Sequence, residues 1–96
     1  MEFDHVAINV SNISNSIAWY SEELSAKVLY ADDTWAMLEV GSTKLALTLE
    51  DQHPPHVAFR SSTPLENAKM HRDGSMYVYK PDPDGNIVEI ITYELG

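Results

Sequence analysis

The chain has no cysteine, which excludes disulfides, thiol nucleophiles and thiolate metal sites. Basic residues are scarce. Six Lys and Arg stand against 15 Asp and Glu, for a formal charge of −9. A nucleic-acid surface needs clustered cations to displace phosphate counterions, and an anionic membrane surface needs the same. No nucleic acid and no membrane is therefore expected as a partner. No apolar run approaches the roughly 20 residues of a membrane span. The opening Met-Glu-Phe-Asp-His has neither the basic nor the apolar region of a signal peptide. A soluble, cytoplasmic protein is the expectation. What is present is an ordinary apolar fraction of 44% in 96 residues, enough for one domain and too little for two.

Residues 2–10 alternate in character and read as a strand. Ser11 and Asn12 are turn and N-cap types. Ile13, Ile17, Tyr20 and Leu24 then recur at helical spacing, predicting a helix over 13–24 with Trp19 and Tyr20 packing it onto a sheet. Strands follow over 27–31, 34–40 and 43–50, separated by Asp32-Asp33 and Gly41-Ser42. Residues 51–55 (DQHPP) form a linker, because consecutive prolines fit neither a helix interior nor a central strand. A strand over 56–61 comes next. Thr63-Pro64 is a helix-start signal, predicting a short helix to about Arg72 that Asp73-Gly74 ends. A strand over 75–80, the turn PDPDG over 81–85 and a last strand over 86–94 complete the chain.

The chain repeats itself. Asp4-His5-Val6-Ala7-Ile8 returns as Pro55-His56-Val57-Ala58-Phe59, and both halves close on similar strands, ending Thr-Leu-Glu and Thr-Tyr-Glu. The expected organisation is a single domain over 1–96. It comprises a β-α-β-β-β module over about 1–50, the linker, and a shortened module over about 56–96 that lacks about one strand. The fold class is α+β.

His5 and His56 occupy the same place in the two repeats. Glu89 is the sole charge in the apolar run Asn86 to Thr92. A carboxylate in such a run costs several kcal/mol to bury unless something pairs with it, and a divalent metal is one such partner. Two His and one carboxylate on rigid strands suit a three-ligand site with open positions. His53, in the linker, and His71, near a helix end, read as surface residues.

These stretches, DHVAINVSNISNSIAWYSEEL, TWAMLEVGSTKLALTLE, PHVAF and YVYKPDPDGNIVEI, resemble the vicinal oxygen chelate superfamily. That group includes glyoxalase I, fosfomycin-resistance proteins, extradiol dioxygenases and bleomycin-resistance proteins. In motif layout the chain looks most similar to fosfomycin-resistance-type members. The resemblance implies paired modules whose mixed sheets curl into a cup around a divalent metal (Mn, Fe, Ni or Zn). The ligands it implies are His5, His56 and Glu89. A fourth ligand of glyoxalase I-type members falls here on Ala46, a departure that counts against that chemistry. Tyr79 matches a substrate-contacting Tyr of fosfomycin-type members; from their strand positions, Arg60 and Lys80 are candidate cations for a substrate, and Trp35, Met37, Tyr77 and Tyr79 are candidates to line the cup. The loop between Arg72 and Ser75 is short, and the segment that carries a substrate-binding Arg in fosfomycin-type members is missing after Gly96.

The expected activity is a metal-dependent enzyme acting on a small oxygen-rich substrate by bidentate chelation, of isomerase, lyase, thiol transferase or dioxygenase type. The alternative is a bleomycin-resistance-like binding protein, whose ligand the acidic balance would suit if it were cationic. A homodimer is expected, with the site shared between chains.

Overall fold

The computed structural model describes residues 1–71 and 73–93. The fold is mixed α+β, with one helix and eight strands among the described residues. The chain divides into two compact units: His5–Pro55, and Met1–Asp4 together with the chain from His56 onward. We call them the first and second module.

The first module holds most of β1 (Glu2–Val10), α1 (Ile13–Leu24), β2 (Lys27–Ala31), β3 (Trp35–Val40) and β4 (Thr43–Leu49). Its strand order is β2-β3-β4-β1, antiparallel except for the parallel pair β1 and β4. Asn12 caps α1 by accepting the Asn15 N–H at 2.8 Å. Ser25 ends the helix in the left-handed region, at φ 54°, where glycine is the usual residue. Ile13, Ala36, Leu38 and Leu47 form the buried centre, and Ile8, Ile17, Tyr20 and Leu45 pack around it. Trp19 departs from expectation, being 56% exposed and set edge-on against Tyr20. It lies off the Ile13, Ile17 and Tyr20 stripe, so one side of the helix is enough to close the core. Leu24, in the last turn, is also exposed.

The second module holds β5 (His56–Arg60), β6 (Lys69–Met70), β7 (Met76–Pro81) and β8 (Ile87–Thr92). Its order is β5-β8-β7-β6, with β5 and β8 parallel and the other pairs antiparallel. This is the strand order of the first module repeated. Among the described residues the element missing from the second module is therefore the helix and not a strand, contrary to the sequence-based expectation.

The helix predicted from Thr63 is absent from the described residues up to 71. Asn67 takes a left-handed φ of 56°, and Met70 is 64% exposed, so the segment presents no continuous apolar stripe. So short a helix is not stable without such packing. Its expected end at Arg72 and the end of the last strand at Glu94 lie outside the described residues.

Among the described residues, no helix is long and apolar enough to cross a membrane.

Candidate metal centre

In the second module the parallel pairing of β5 and β8 sets Ala58 beside Glu89, and the antiparallel pairing of β7 and β8 sets Tyr79 on its other side. The PDPDG hairpin fixes this register. The Asp82 carboxylate accepts the Asp84 and Asn86 N–H groups at 2.9 and 2.8 Å, and Gly85 adopts the positive φ of 86° that the turn requires. Those donors hold the Asp82 carboxyl below its usual range, the Asn86 side chain being the largest cause.

Glu89 is 1% exposed and His56 8%. Glu89 Oε1 lies 3.3 Å from His56 Nε2. The other carboxylate oxygen, Oε2, lies 2.8 Å from His71 Nε2. Four rings run around this carboxylate. His71 stacks on Tyr77 with centroids 3.7 Å apart and planes 9° from parallel. Tyr77 and Tyr79 are 5.1 Å apart, and Tyr79 and His56 again 5.1 Å. Burial, and next the Glu89 charge, push the Tyr79 hydroxyl well above its ordinary range, and Tyr77 moves the same way for the same causes. At neutral pH both are hydrogen-bond donors and not bases.

The donor set fits a metal. Ligand bonds of about 2.0–2.2 Å at right-angle to tetrahedral separations place neighbouring ligand atoms roughly 2.8–3.6 Å apart. The 3.3 Å between His56 Nε2 and Glu89 Oε1 falls in that window. It is longer than the ~2.7–2.9 Å of a charge-assisted hydrogen bond.

In the first module His5 sits on β1, 6% exposed. The register β1 to β4 sets Ala7 beside Ala46. His5 to Ala7 repeats as His56 to Ala58, so Ala46 stands where the second module has Glu89. The first module thus offers an imidazole at the repeated place and no carboxylate.

The remaining sequence candidates are placed as follows. Trp35 stacks on Tyr30 at 4.7 Å, in the first module, and its backbone N–H donates to Asp32 Oδ1. Met37, half-buried on β3, pairs with Ala46. Lys80 is exposed on β7. Arg60 pairs with Glu2 at 2.7 Å and Asp4 at 3.5 Å and helps line a cavity of about 500 Å³ with Met1, Ser61, Ser62, Thr92 and Tyr93. The backbone carbonyl of His53 accepts from the Asn9 side chain.

The sequence places His71 at the surface, and the structure corrects this: it holds Glu89 and is only partly exposed. The signal that finds it is Asp73-Gly74. Taken as a hairpin turn and not as a helix end, that dipeptide folds residue 71 back beside β7, as the β6 to β7 register and the His71 N–H to Ser75 carbonyl bond show.

No curated protein matches the chain. Among solved structures it is similar to methylmalonyl-CoA epimerase from Mycobacterium tuberculosis, at 20% identity and a TM-score of 0.73, covering 95% of this chain and 87% of that one. A single-substitution variant of Streptomyces coelicolor methylmalonyl-CoA epimerase, bound to 2-nitronate-propionyl-CoA, gives 18% identity and a TM-score of 0.76 over 96% of each chain. A glyoxalase/bleomycin resistance protein/dioxygenase superfamily member from Vibrio splendidus 12B01 gives 12% and 0.71, over 92% of this chain and 96% of that one. These likenesses establish the shared fold. The family model for the glyoxalase/bleomycin resistance protein/dioxygenase superfamily matches residues 2–72, most of the chain, and the protein belongs to that superfamily.

Proposed function

We propose that the protein is a metal-dependent enzyme that binds a small oxygen-rich substrate through two neighbouring oxygens, with His5, His56 and Glu89 as the metal ligands. The observation that carries this reading is the buried His56 and Glu89 pair, spaced as two ligands of one ion. His5 joins them by repeat equivalence. It is buried and offers a ring nitrogen.

When bound, the ion supplies Lewis-acid polarisation of the two substrate oxygens. The chain's own residues do the rest. Tyr79, held protonated beside Glu89, donates a hydrogen bond to a substrate oxygen, and the buried strand positions keep the ligands rigid. The reaction belongs to the isomerase, lyase, thiol transferase or dioxygenase types. Isomerisation stands first, since solved structures of the same fold are methylmalonyl-CoA epimerases. The homodimer is part of the proposal, supported by the exposed apolar side chains of Val28, Leu29 and Tyr30 on the edge strand β2.

The test is the metal content of untagged protein, with melting temperatures in Mn²⁺, Fe²⁺, Ni²⁺ and Zn²⁺, for the wild type and His56→Ala. A metal at a hundredfold excess over Kd stabilises the wild type by about 2.7 kcal/mol, an effect the variant loses. A wild type that carries no divalent metal and shows no shift with any of the four overturns the reading. Fe²⁺ accompanied by oxygen uptake marks a dioxygenase. Sedimentation of the same sample as a monomer at micromolar concentration overturns the homodimer.

A further inference from the structure

The two contacts of Glu89 differ in kind. Oε1 stands 3.3 Å from His56 Nε2, a ligand-to-ligand separation, whereas Oε2 stands 2.8 Å from His71 Nε2, a charge-assisted hydrogen bond. A carboxylate that offers one oxygen to an ion needs its other oxygen held, or it rotates between the two. His71 is placed to hold it. The ring lies flat on Tyr77, the segment carrying it is drawn back by the His71 N–H to Ser75 carbonyl bond at 2.8 Å, and the Gly74 N–H closes on the His71 carbonyl at 3.0 Å. The Asp73 carboxylate accepts both the Ser75 N–H and its hydroxyl, at 2.9 and 2.6 Å, stiffening the same turn. Stacking, backbone and turn therefore fix the imidazole before any metal arrives.

We propose that His71 is the positioning residue of the metal centre: its Nε2–H clamps Glu89 Oε2, so that Oε1 is aimed at the ion beside His56. The proposal rests on the metal site proposed above. It assigns His71 no direct bond to the metal. Its place on a turn of the second module makes that turn part of the site, although the turn contributes no ligand. Outer hydrogen bonds of this kind set ligand orientation and basicity, and their loss weakens metal binding by about 10–100-fold.

Calorimetric titration with Mn²⁺ or Zn²⁺ alone tests this on three full-length proteins: wild type, His71→Phe and His71→Gln. Phe keeps a ring on Tyr77 and removes the N–H; Gln restores an N–H without the ring. His71→Phe is expected to bind metal about 10–100-fold more weakly and, while still folded without metal, to melt lower than wild type because Glu89 loses a donor, and His71→Gln to recover most of the affinity. Equal affinity in wild type and His71→Phe overturns the clamp. So does equal weakening in both variants, which would mark a packing role. A loss beyond about a thousandfold that Gln does not relieve also overturns it, since His71 would then be a ligand itself. If the wild type takes no metal, the functional reading and the clamp fall together; if it binds metal and His71→Phe matches it, only the clamp falls.

Discussion

In the first module the parallel strands β1 and β4 set Ala7 beside Ala46; in the second, β5 and β8 set Ala58 beside Glu89. The two modules share one strand order and one repeated histidine, yet bury different chemistry. The first keeps its helix and closes on Ile13, Ala36, Leu38 and Leu47. The second has no helix among its described residues, and its buried side chains include His56, Ser61, Ser75, Glu89 and Thr92, with Ala58 and Ile91 as its fully buried apolar residues. Apolar burial stabilises without direction, whereas buried polar groups stabilise only when each finds a partner. The difference separates labour: one module supplies most of the apolar core, and the other holds a buried carboxylate between His56 and His71.

The largest expected effect comes from making the modules alike. Ala46→Glu places a second carboxylate at a position only 4% exposed. Desolvation of the new group costs roughly 2–7 kcal/mol and overpacking about 1–3 more, so the metal-free variant should lose most of the stability of a small domain. If position 46 is the true counterpart of Glu89, added Mn²⁺ or Zn²⁺ should restore more stability to the variant than it adds to the wild type. Denaturation curves with and without metal check this. An unchanged metal-free midpoint would break the equivalence.

Next in size, Leu38→Ala removes a fully buried side chain from the first module's core and should cost about 2–5 kcal/mol. Because the loss lies in the apolar cluster of Ile13, Ala36, Leu38 and Leu47, which holds none of the proposed ligands, metal affinity of the folded protein should stay within about twofold of wild type, as for sites that share no partner. A variant that loses metal in proportion to stability would show that the division of labour does not hold.

Much of this division was legible before the structure. The alternation of residues 2–10, the stripe of α1 and the PDPDG turn each carry a period or a dihedral demand that local physics enforces. The repeat located His5 and His56, and the isolation of Glu89 in an apolar strand marked it out. What the sequence hid depends on contacts between distant residues. The strand β6 is two residues long, too short for any period, and the Thr63-Pro64 start signal is overruled because Leu65 and Ala68 alone are too little to anchor so short a helix and Asn67 turns left-handed. His71 meets Glu89 across 18 positions through a hairpin, so only the reading of Asp73-Gly74 as a turn could have linked them.

The smallest expected effect concerns alkaline pH, and it too separates the modules. Tyr77, Tyr79 and Tyr93 all belong to the second module, and all are raised above the ordinary tyrosine range. Burial is the first cause in each. For Tyr93 a hydrogen bond to the Asp4 carboxylate, at 2.9 Å, comes next. A phenol raised on folding contributes its stability in full below its unfolded value of about 10, and loses it as pH climbs toward the folded value. Above about pH 10 the unfolded chain sheds these protons first, so stability must fall with rising pH. The expected sequence is earlier amide-exchange deprotection in β7 and β8 than in β3 and β4. Tyr79→Phe combined with Tyr93→Phe should flatten the decline, because the two most strongly shifted hydroxyls are gone while their rings remain. Simultaneous opening of all four strands, with the same slope in the double variant, would mean that the polar module is no more sensitive to base than the apolar one, and that its buried phenols are not what distinguishes it.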